Sequence, residues 1–158
     1  MKTLTTTSLI FVLLSFASHS SALPDCTDER ETLDDCTGSY IWRTGIRYDG
    51  EFKNGLPHGK GAITYPNGDK YEGELKNGDK HGNGTFAYSN GSSYVGEFKN
   101  GKYNGKGTTT LADGTIFIGE FKDNEMNGQG TLWVDGREIR GIWADNEYLY
   151  ESAESVGK

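Results

Sequence analysis

The feature that most constrains this chain is a 23-residue sequence unit that occurs four times in tandem. The first copy begins at Tyr48, and the later copies begin at Tyr71, Tyr94 and Phe117. Every copy has a glycine two positions after its first residue, and a further pair of glycines recurs in register: Gly59/Gly61, Gly82/Gly84, Gly105/Gly107 and Gly128/Gly130. Self-similarity at a fixed period of this length predicts a repeat array.

Each unit has the alternation of a β-hairpin. Its first strand places Tyr48, Gly50 and Phe52 on one face, with charged residues between them, which is the period-two pattern of a strand. Asn54-Gly55 follows, and we expect the chain to turn through residues 54–58. A second strand then runs to Asn67-Gly68, and Asn-Gly pairs favour the positive φ angles that tight hairpins need. Consecutive hairpins predict an all-β antiparallel meander.

The glycines need a reason, because glycine weakens strands. Hydrophobic residues make up only 34% of the chain, whereas aromatic residues make up 12%. We expect Gly50 and Gly61, which lack a Cβ, to let a neighbouring ring lie flat across the backbone. Contacts between rings, each adding about 0.5–1.5 kcal/mol beyond burial, would then replace a conventional core.

The array begins and ends with half a unit. Gly38 to Gly45 align with Gly61 to Gly68, and residues 139–143 take the place of a first strand at a spacing of 22. The array is thus predicted over residues 38–144 with ten strands, about 48 Å across at about 4.8 Å per strand. Its open edges would be residues 38–43 and 139–144, which need covering. Residues 145–158 are expected to form either a short cap, for which a helix is one form, or a frayed tail.

The N-terminal residues have the pattern of a secretory signal peptide. Residues 1–22 combine Lys2, an apolar stretch of about nine residues and a small-residue end at Ser20-Ser-Ala22. The chain is therefore expected to be exported, and to be secreted or periplasmic. An acidic segment, residues 23–37, contains Cys26 and Cys36, and an oxidising compartment favours a disulfide between them, worth roughly 2–3 kcal/mol for so short a loop.

The charge of the chain excludes some partners. The net charge is −7, and removal of residues 1–22 makes it one unit more negative. Nucleic acids and anionic lipid surfaces attract clustered Lys and Arg. We therefore expect no nucleic-acid partner.

The unit Tyr-x-Gly-Glu-Phe-Lys-Asn-Gly-x-x-His-Gly-x-Gly closely resembles the MORN (membrane occupation and recognition nexus) repeat. His58 and His81 stand at the usual His position, Asn104 and Asn127 replace it later, and Asn124 stands where the pattern has glycine. The resemblance implies an elongated, twisted, single-layer antiparallel sheet. It also implies a role in holding partners or membranes, since arrays of this family act as scaffolds, self-associate or accompany a catalytic domain.

No residue set indicates catalysis, a metal site or a cofactor. His58 and His81 occupy equivalent turns about 10 Å apart, and we interpret both as turn residues that bond to local backbone, since no nucleophile or orienting partner recurs beside them. The glutamates at the fourth position of each unit, followed by a lysine two residues later, are interpreted as a solvated face with local charge pairing. They are Glu51, Glu74, Glu97 and Glu120.

The sequence therefore predicts an exported, non-catalytic interaction scaffold whose protein partner it does not name. The candidate binding surface consists of rings on the first strands, most of them expected to be structural first: Tyr48, Phe52, Tyr71, Tyr94, Phe98, Phe117 and Phe121. The alternative is a binding module for membrane lipid or cell-envelope glycan. Self-association through the edge at residues 139–144 is a further expectation.

Overall fold

In a computed structural model the chain forms one open antiparallel sheet of eleven strands, ordered along the sheet as they are along the chain. The structure describes residues 23–26 and 33–151. The predicted signal peptide, residues 27–32 and residues 152–158 lie outside the described residues. Over the described residues there is no helix and no second layer, so the single-layer meander is confirmed.

Every strand pairs with its sequence neighbours. The strands are β1 Cys36–Ile41, β2 Arg47–Lys53, β3 Leu56–Thr64, β4 Lys70–Lys76, β5 Asp79–Ala87, β6 Ser93–Lys99, β7 Lys102–Thr110, β8 Ile116–Lys122, β9 Glu125–Val134, β10 Arg137–Ala144 and β11 Glu147–Tyr150.

The hairpin turn within each unit is shorter than expected. Asn54 and Gly55 have φ angles of 50° and 72°, which fit a two-residue type I′ turn, and β3 starts directly afterwards at Leu56. Residues 56–58, assigned to the turn from the sequence, belong to the strand. Asp123 and Asn124 adopt the same conformation with φ angles of 53° and 79°, so asparagine takes the place of glycine there without changing the turn.

A bulge follows each of these turns. Gly50 pairs with Gly61, but Phe52 pairs with Pro57, so three residues of β3 lie opposite Glu51 alone. The same shift recurs in the other three units. A bulge re-aims the side chains around it, and here it directs the glutamate opposite toward the backbone of the longer strand.

One row of glycines crosses the sheet from β1 to β10. Its members pair in succession as Gly38, Gly50, Gly61, Gly73, Gly84, Gly96, Gly107, Gly119, Gly130 and Gly141. The steric role predicted for them is confirmed. A Cβ added to Gly84 would lie 2.6 Å from Cε2 of Tyr71, and one added to Gly107 would lie 2.5 Å from Cε2 of Tyr94.

The core is a ladder of rings on the face above this row, called here the ring face. Tyr94 meets Phe98 of its own unit and Phe121 of the next unit edge-on, with centroids 5.2 and 5.1 Å apart. Tyr71 meets Phe98 in the same way at 5.1 Å. Because Tyr71, Tyr94 and Phe117 each touch a ring of the following repeat, the ladder continues along the sheet without a second layer.

The N-terminal segment closes the first end of the array. The predicted disulfide between Cys26 and Cys36 is confirmed, with 5.0 Å between the two Cα atoms. It holds the segment beside β1, where the Cys26 amide donates to the Thr37 carbonyl and the Thr37 amide donates to the Pro24 carbonyl, both at 2.8 Å. Part of the first edge strand is therefore covered by a short parallel bridge.

The C-terminal end carries the extra strand. β11 pairs with β10 in an antiparallel register that is interrupted by one irregularity, so eleven strands replace the ten expected, and residues 147–150 form neither a helical cap nor a frayed tail. The Asp145-Asn146 turn has positive φ angles at both residues. Asn146 accepts from the Met126 amide through its side chain and donates to the Met126 carbonyl through its own amide.

Candidate functional site: the two faces and the free edge

The seven rings predicted as a binding surface all lie in the core. Their exposed fractions run from 0% to 5%, and they belong to one apolar cluster. Their structural role is thus plain, whereas a role in binding stays a prediction. A partner would meet the residues packed around them. The residues are Tyr48, Phe52, Tyr71, Tyr94, Phe98, Phe117 and Phe121.

Three of the rings are tyrosines whose hydroxyl donates a hydrogen bond to a backbone carbonyl three residues later in the same strand. The hydroxyl of Tyr48 donates to the carbonyl of Glu51 at 2.6 Å, and Tyr94 donates to Glu97 at 2.9 Å. Burial, with the nearby glutamate as a second cause, raises the pKa of Tyr48 and of Tyr94 to about 12. The neutral phenol is therefore the form that the fold holds.

The recurring glutamates do not form the expected pairs with lysines two residues later. The salt bridges of the described residues involve other groups. Glu97 accepts instead from the backbone amide of Lys106 at 2.8 Å, across the bulge, and Glu51 and Glu74 do the same at 3.1 and 3.0 Å. The interpretation as a face of local charge pairs was wrong, because the bulge exposes a backbone amide that the carboxylate satisfies.

The first histidine joins two units. Nδ1 of His58 accepts from the amide of Asn77, 3.4 Å away in the hairpin turn of the next unit. Asp34 fills the same role before the array begins, since its carboxylate accepts from the Asn54 amide at 2.9 Å. His58 therefore bonds to backbone, as predicted, but across a junction between units rather than locally.

The face opposite the rings, called here the outer face, differs between its two halves. The residue between the ring and the glycine of each first strand is Asp49, then Glu72, then Val95, then Ile118. Val95 and Ile118 are 52% and 48% exposed. Their cross-strand neighbours are threonines, so an uncharged row runs over β5 to β9: Thr85, Val95, Thr108, Ile118 and Thr131.

The sequence interpretation missed this uncharged row, although a signal for it exists. The row consists of the second residue of each unit and the residue it faces across the sheet. Comparison of the four copies at that one position would have shown the change from acids to β-branched residues.

The free edge also lies elsewhere than expected. Residues 139–144 belong to β10, which is paired on both sides, so the predicted edge is internal. The free edge is β11, where Tyr148, Leu149 and Tyr150 are 44%, 52% and 60% exposed.

The described residues lack the features of two other kinds of site. Among residues 23–26 and 33–151, no three His, Cys, Asp or Glu side chains come together as metal ligands would. The same residues include no helix of the length and hydropathy needed to cross a membrane.

Tandem hairpins that share one glycine row and one ring ladder define a β-hairpin repeat protein. The family model for the MORN repeat matches four consecutive stretches, residues 48–70, 71–93, 94–116 and 117–136. The chain therefore belongs to the MORN repeat family. The comparison with curated proteins gives no match. The four stretches begin at the residues that the 23-residue period predicts as the starts of the units. MORN repeat proteins are typically non-catalytic scaffolds.

Proposed function

We propose that this chain is an exported, non-catalytic scaffold that binds a protein partner through the uncharged half of its outer face. The observation that carries the proposal is the row of five uncharged residues over β5 to β9, with Val95 and Ile118 about half exposed. A single-layer sheet does not use this face for its core. Membership of the MORN repeat family supports the role of a scaffold.

Export is supported by two features. The apolar N-terminal stretch fits a signal peptide, and the Cys26–Cys36 disulfide fits an oxidising compartment. Both features also agree with a partner in the cell envelope or outside the cell.

Charge insertion into the row tests the proposal. Val95→Glu combined with Ile118→Glu places two carboxylates on exposed strand positions, where substitutions change stability little. Glu72→Gln, at the equivalent position of the second unit, is the matched control. In affinity purification from the native envelope, a protein recovered with the wild type and the control, and lost with the double variant, supports the proposal. Equal recovery with all three proteins, each folded by circular dichroism, would overturn the outer face as the binding surface.

The alternative is a module that binds lipid or glycan. Exposed rings at Tyr88, Tyr148 and Tyr150, with exposed fractions of 39%, 44% and 60%, favour it, because aromatic rings stack on sugars and lie at lipid interfaces. Sedimentation with liposomes and with cell-wall material separates the two ligands. Absence of the chain from both pellets would remove this alternative.

We also propose self-association through β11 in place of residues 139–144. Its unpaired backbone groups invite a further strand, and the opposite edge is partly covered by residues 24–26. Light scattering over a wide concentration range is expected to show a dimer, and a constant monomeric mass would argue against it.

A further inference from the structure

One position on the ring face differs in every unit. It is the second residue of the second strand, which pairs with the buried ring or leucine near the end of the first strand. We call it the filler position. Its occupants in the four units are Pro57, Lys80, Tyr103 and Met126.

In the second unit the filler is a lysine that lies over rings. Nζ of Lys80 is 5.3 Å from the ring centroid of Phe86, 5.8 Å from that of Tyr65 and 5.9 Å from that of Tyr71. The ammonium also donates to the Tyr65 hydroxyl at 3.4 Å. A cation at these distances is attracted by the ring faces.

In the third unit the filler is an aromatic ring. Tyr103 stacks on Tyr94 with centroids 3.7 Å apart and an interplanar angle of 11°. Its hydroxyl is 2.6 Å from that of Tyr88. The fillers of the second and third units therefore contact equivalent neighbours: the residue 15 positions before each filler, which belongs to the preceding unit, and the residue 9 positions before it, which belongs to the filler's own unit.

In the first unit the filler is too short to do this. Pro57 has no side chain beyond its ring, and the equivalent neighbours are Trp42 and Tyr48, whose ring centroids lie 6.5 Å apart. A hollow of about 340 Å³ remains, and Trp42, Pro57, Ile63 and Tyr65 are among the residues that line it. A side chain of the chain itself thus occupies the space beside these neighbours in the second and third units, whereas the corresponding space in the first unit is open.

We propose that the hollow at Trp42 binds a lysine side chain from a basic segment of a partner protein. Lys80 shows how a lysine is held at the equivalent place of the second unit, where Phe86 stands in the position of Ile63. Trp42 offers the aromatic face that attracts a cation best. The 23 acidic residues against 16 basic ones add attraction for a basic segment. This site lies on the ring face of the first unit, apart from the outer-face row, so each proposal can fail without the other.

Titration with a short peptide tests the site. The probe is blocked Gly-Lys-Gly, followed through the Trp42 indole N–H by NMR, with blocked Gly-(Nε-acetyl-Lys)-Gly and Gly-Tyr-Gly as comparisons. We expect a saturable shift with the lysine peptide, and about fivefold to tenfold weaker binding of the acetylated peptide, in line with the loss of a cation–π contact.

Two variants use the repeat as its own control. Pro57→Lys gives the first unit the filler of the second, and is expected to weaken binding at least about tenfold because the introduced side chain occupies the hollow. Lys80→Ala empties the second unit and is expected to add a second binding event near Tyr65. Circular dichroism and the melting temperature confirm that both variants are folded.

Several results would overturn the proposal. Pro57→Lys binding within about twofold of the wild type would show that the hollow is not the site. Equal binding of the acetylated peptide, or tighter binding of the tyrosine peptide, would show an apolar site rather than a site for a cation.

Discussion

The first three units and the fourth hold their rings in different ways. Tyr48, Tyr71 and Tyr94 each lie over glycines and also donate a hydroxyl to the backbone of their own strand. Phe117 lies over Gly119 and Gly130 in the same manner but has no hydroxyl to donate. The ring over glycine is thus common to all four units, and the hydroxyl is an addition that three of them share.

The fourth unit, which lacks the hydroxyl, also has a longer hydrogen bond between the glutamate and the backbone amide at its bulge. The distance from the glutamate to the facing amide is 2.8–3.1 Å in the first three units and 3.4 Å between Glu120 and Gln129. Packing of the ring against glycine therefore defines the unit, whereas the polar contacts around it adjust how tightly the unit is held.

The largest effect is expected from filling the glycine row. Gly107→Ala places a methyl group 2.5 Å from Cε2 of Tyr94 and should lower the free energy of unfolding by about 3 kcal/mol. Gly130→Ala, beneath Phe117, should cost about the same if the ring over glycine is common to all units. Urea unfolding followed by circular dichroism measures both variants.

Gly114→Ala serves as the control for these two substitutions. No atom lies within 4 Å of its added Cβ, although its φ of +88° carries strain, so its cost should be about 1–2 kcal/mol. A Gly130→Ala variant as stable as the wild type would show that the fourth unit does not depend on the packing of its ring against glycine.

An exchange of hydroxyl groups is expected to have a smaller effect. Tyr94→Phe should lose about 1 kcal/mol because the Glu97 carbonyl loses a buried donor. Phe117→Tyr should gain up to about 1 kcal/mol if its hydroxyl reaches the Glu120 carbonyl as in the other units. Urea midpoints give both values, and opposite signs are the expected result. Two neutral substitutions would mean that the hydroxyls contribute nothing.

The last prediction concerns alkaline pH. The pKa of Tyr94 is about 12 in the folded chain, against about 10 for an exposed tyrosine. A raised pKa means that the neutral phenol stabilises the fold below about pH 10, and that this stabilisation is lost as the pH rises toward 12. The stability advantage of the wild type over Tyr94→Phe should therefore shrink across that range.

This pH dependence is checked by urea unfolding at several pH values, with tyrosinate absorbance recorded in parallel. Phe117→Ala, which changes no ionisable group, should differ from the wild type by the same amount at each pH value. An advantage of the wild type over Tyr94→Phe that stays constant from pH 9 to about 12 would contradict the raised pKa.

Much of the fold could be predicted because one period fixes several features together. The spacing of Tyr48, Gly50 and Gly61 predicts the strand alternation and the ring over glycine, and the structure confirms both. The half unit at residues 38–45 is likewise confirmed as β1, with residues 36–41 in the strand.

The rest could not be predicted because it depends on contacts between units or on small changes of register. The bulge at residues 58–60 follows from pairing across the hairpin, and only that pairing brings the Glu51 carboxylate to a backbone amide. β11 had a signal that the interpretation missed, because Asp145-Asn146-Glu147 repeats Asp123-Asn124-Glu125 at the same spacing of 22 as residues 139–143. The hollow at Trp42 arises from a difference between Pro57 and Lys80, and a search for what the copies share passes over such differences.

The ends of the array reproduce the hydrogen bonds of an absent neighbour. The Leu33 carbonyl accepts from the Gly55 amide at 2.7 Å, as the Pro57 carbonyl accepts from the Gly78 amide at 2.8 Å. Asn146 closes the last hairpin onto Met126 at the other end. Because both ends attach through the backbone hydrogen bonds that units use, we expect an array longer or shorter by 23 residues to keep these bonds at its junctions.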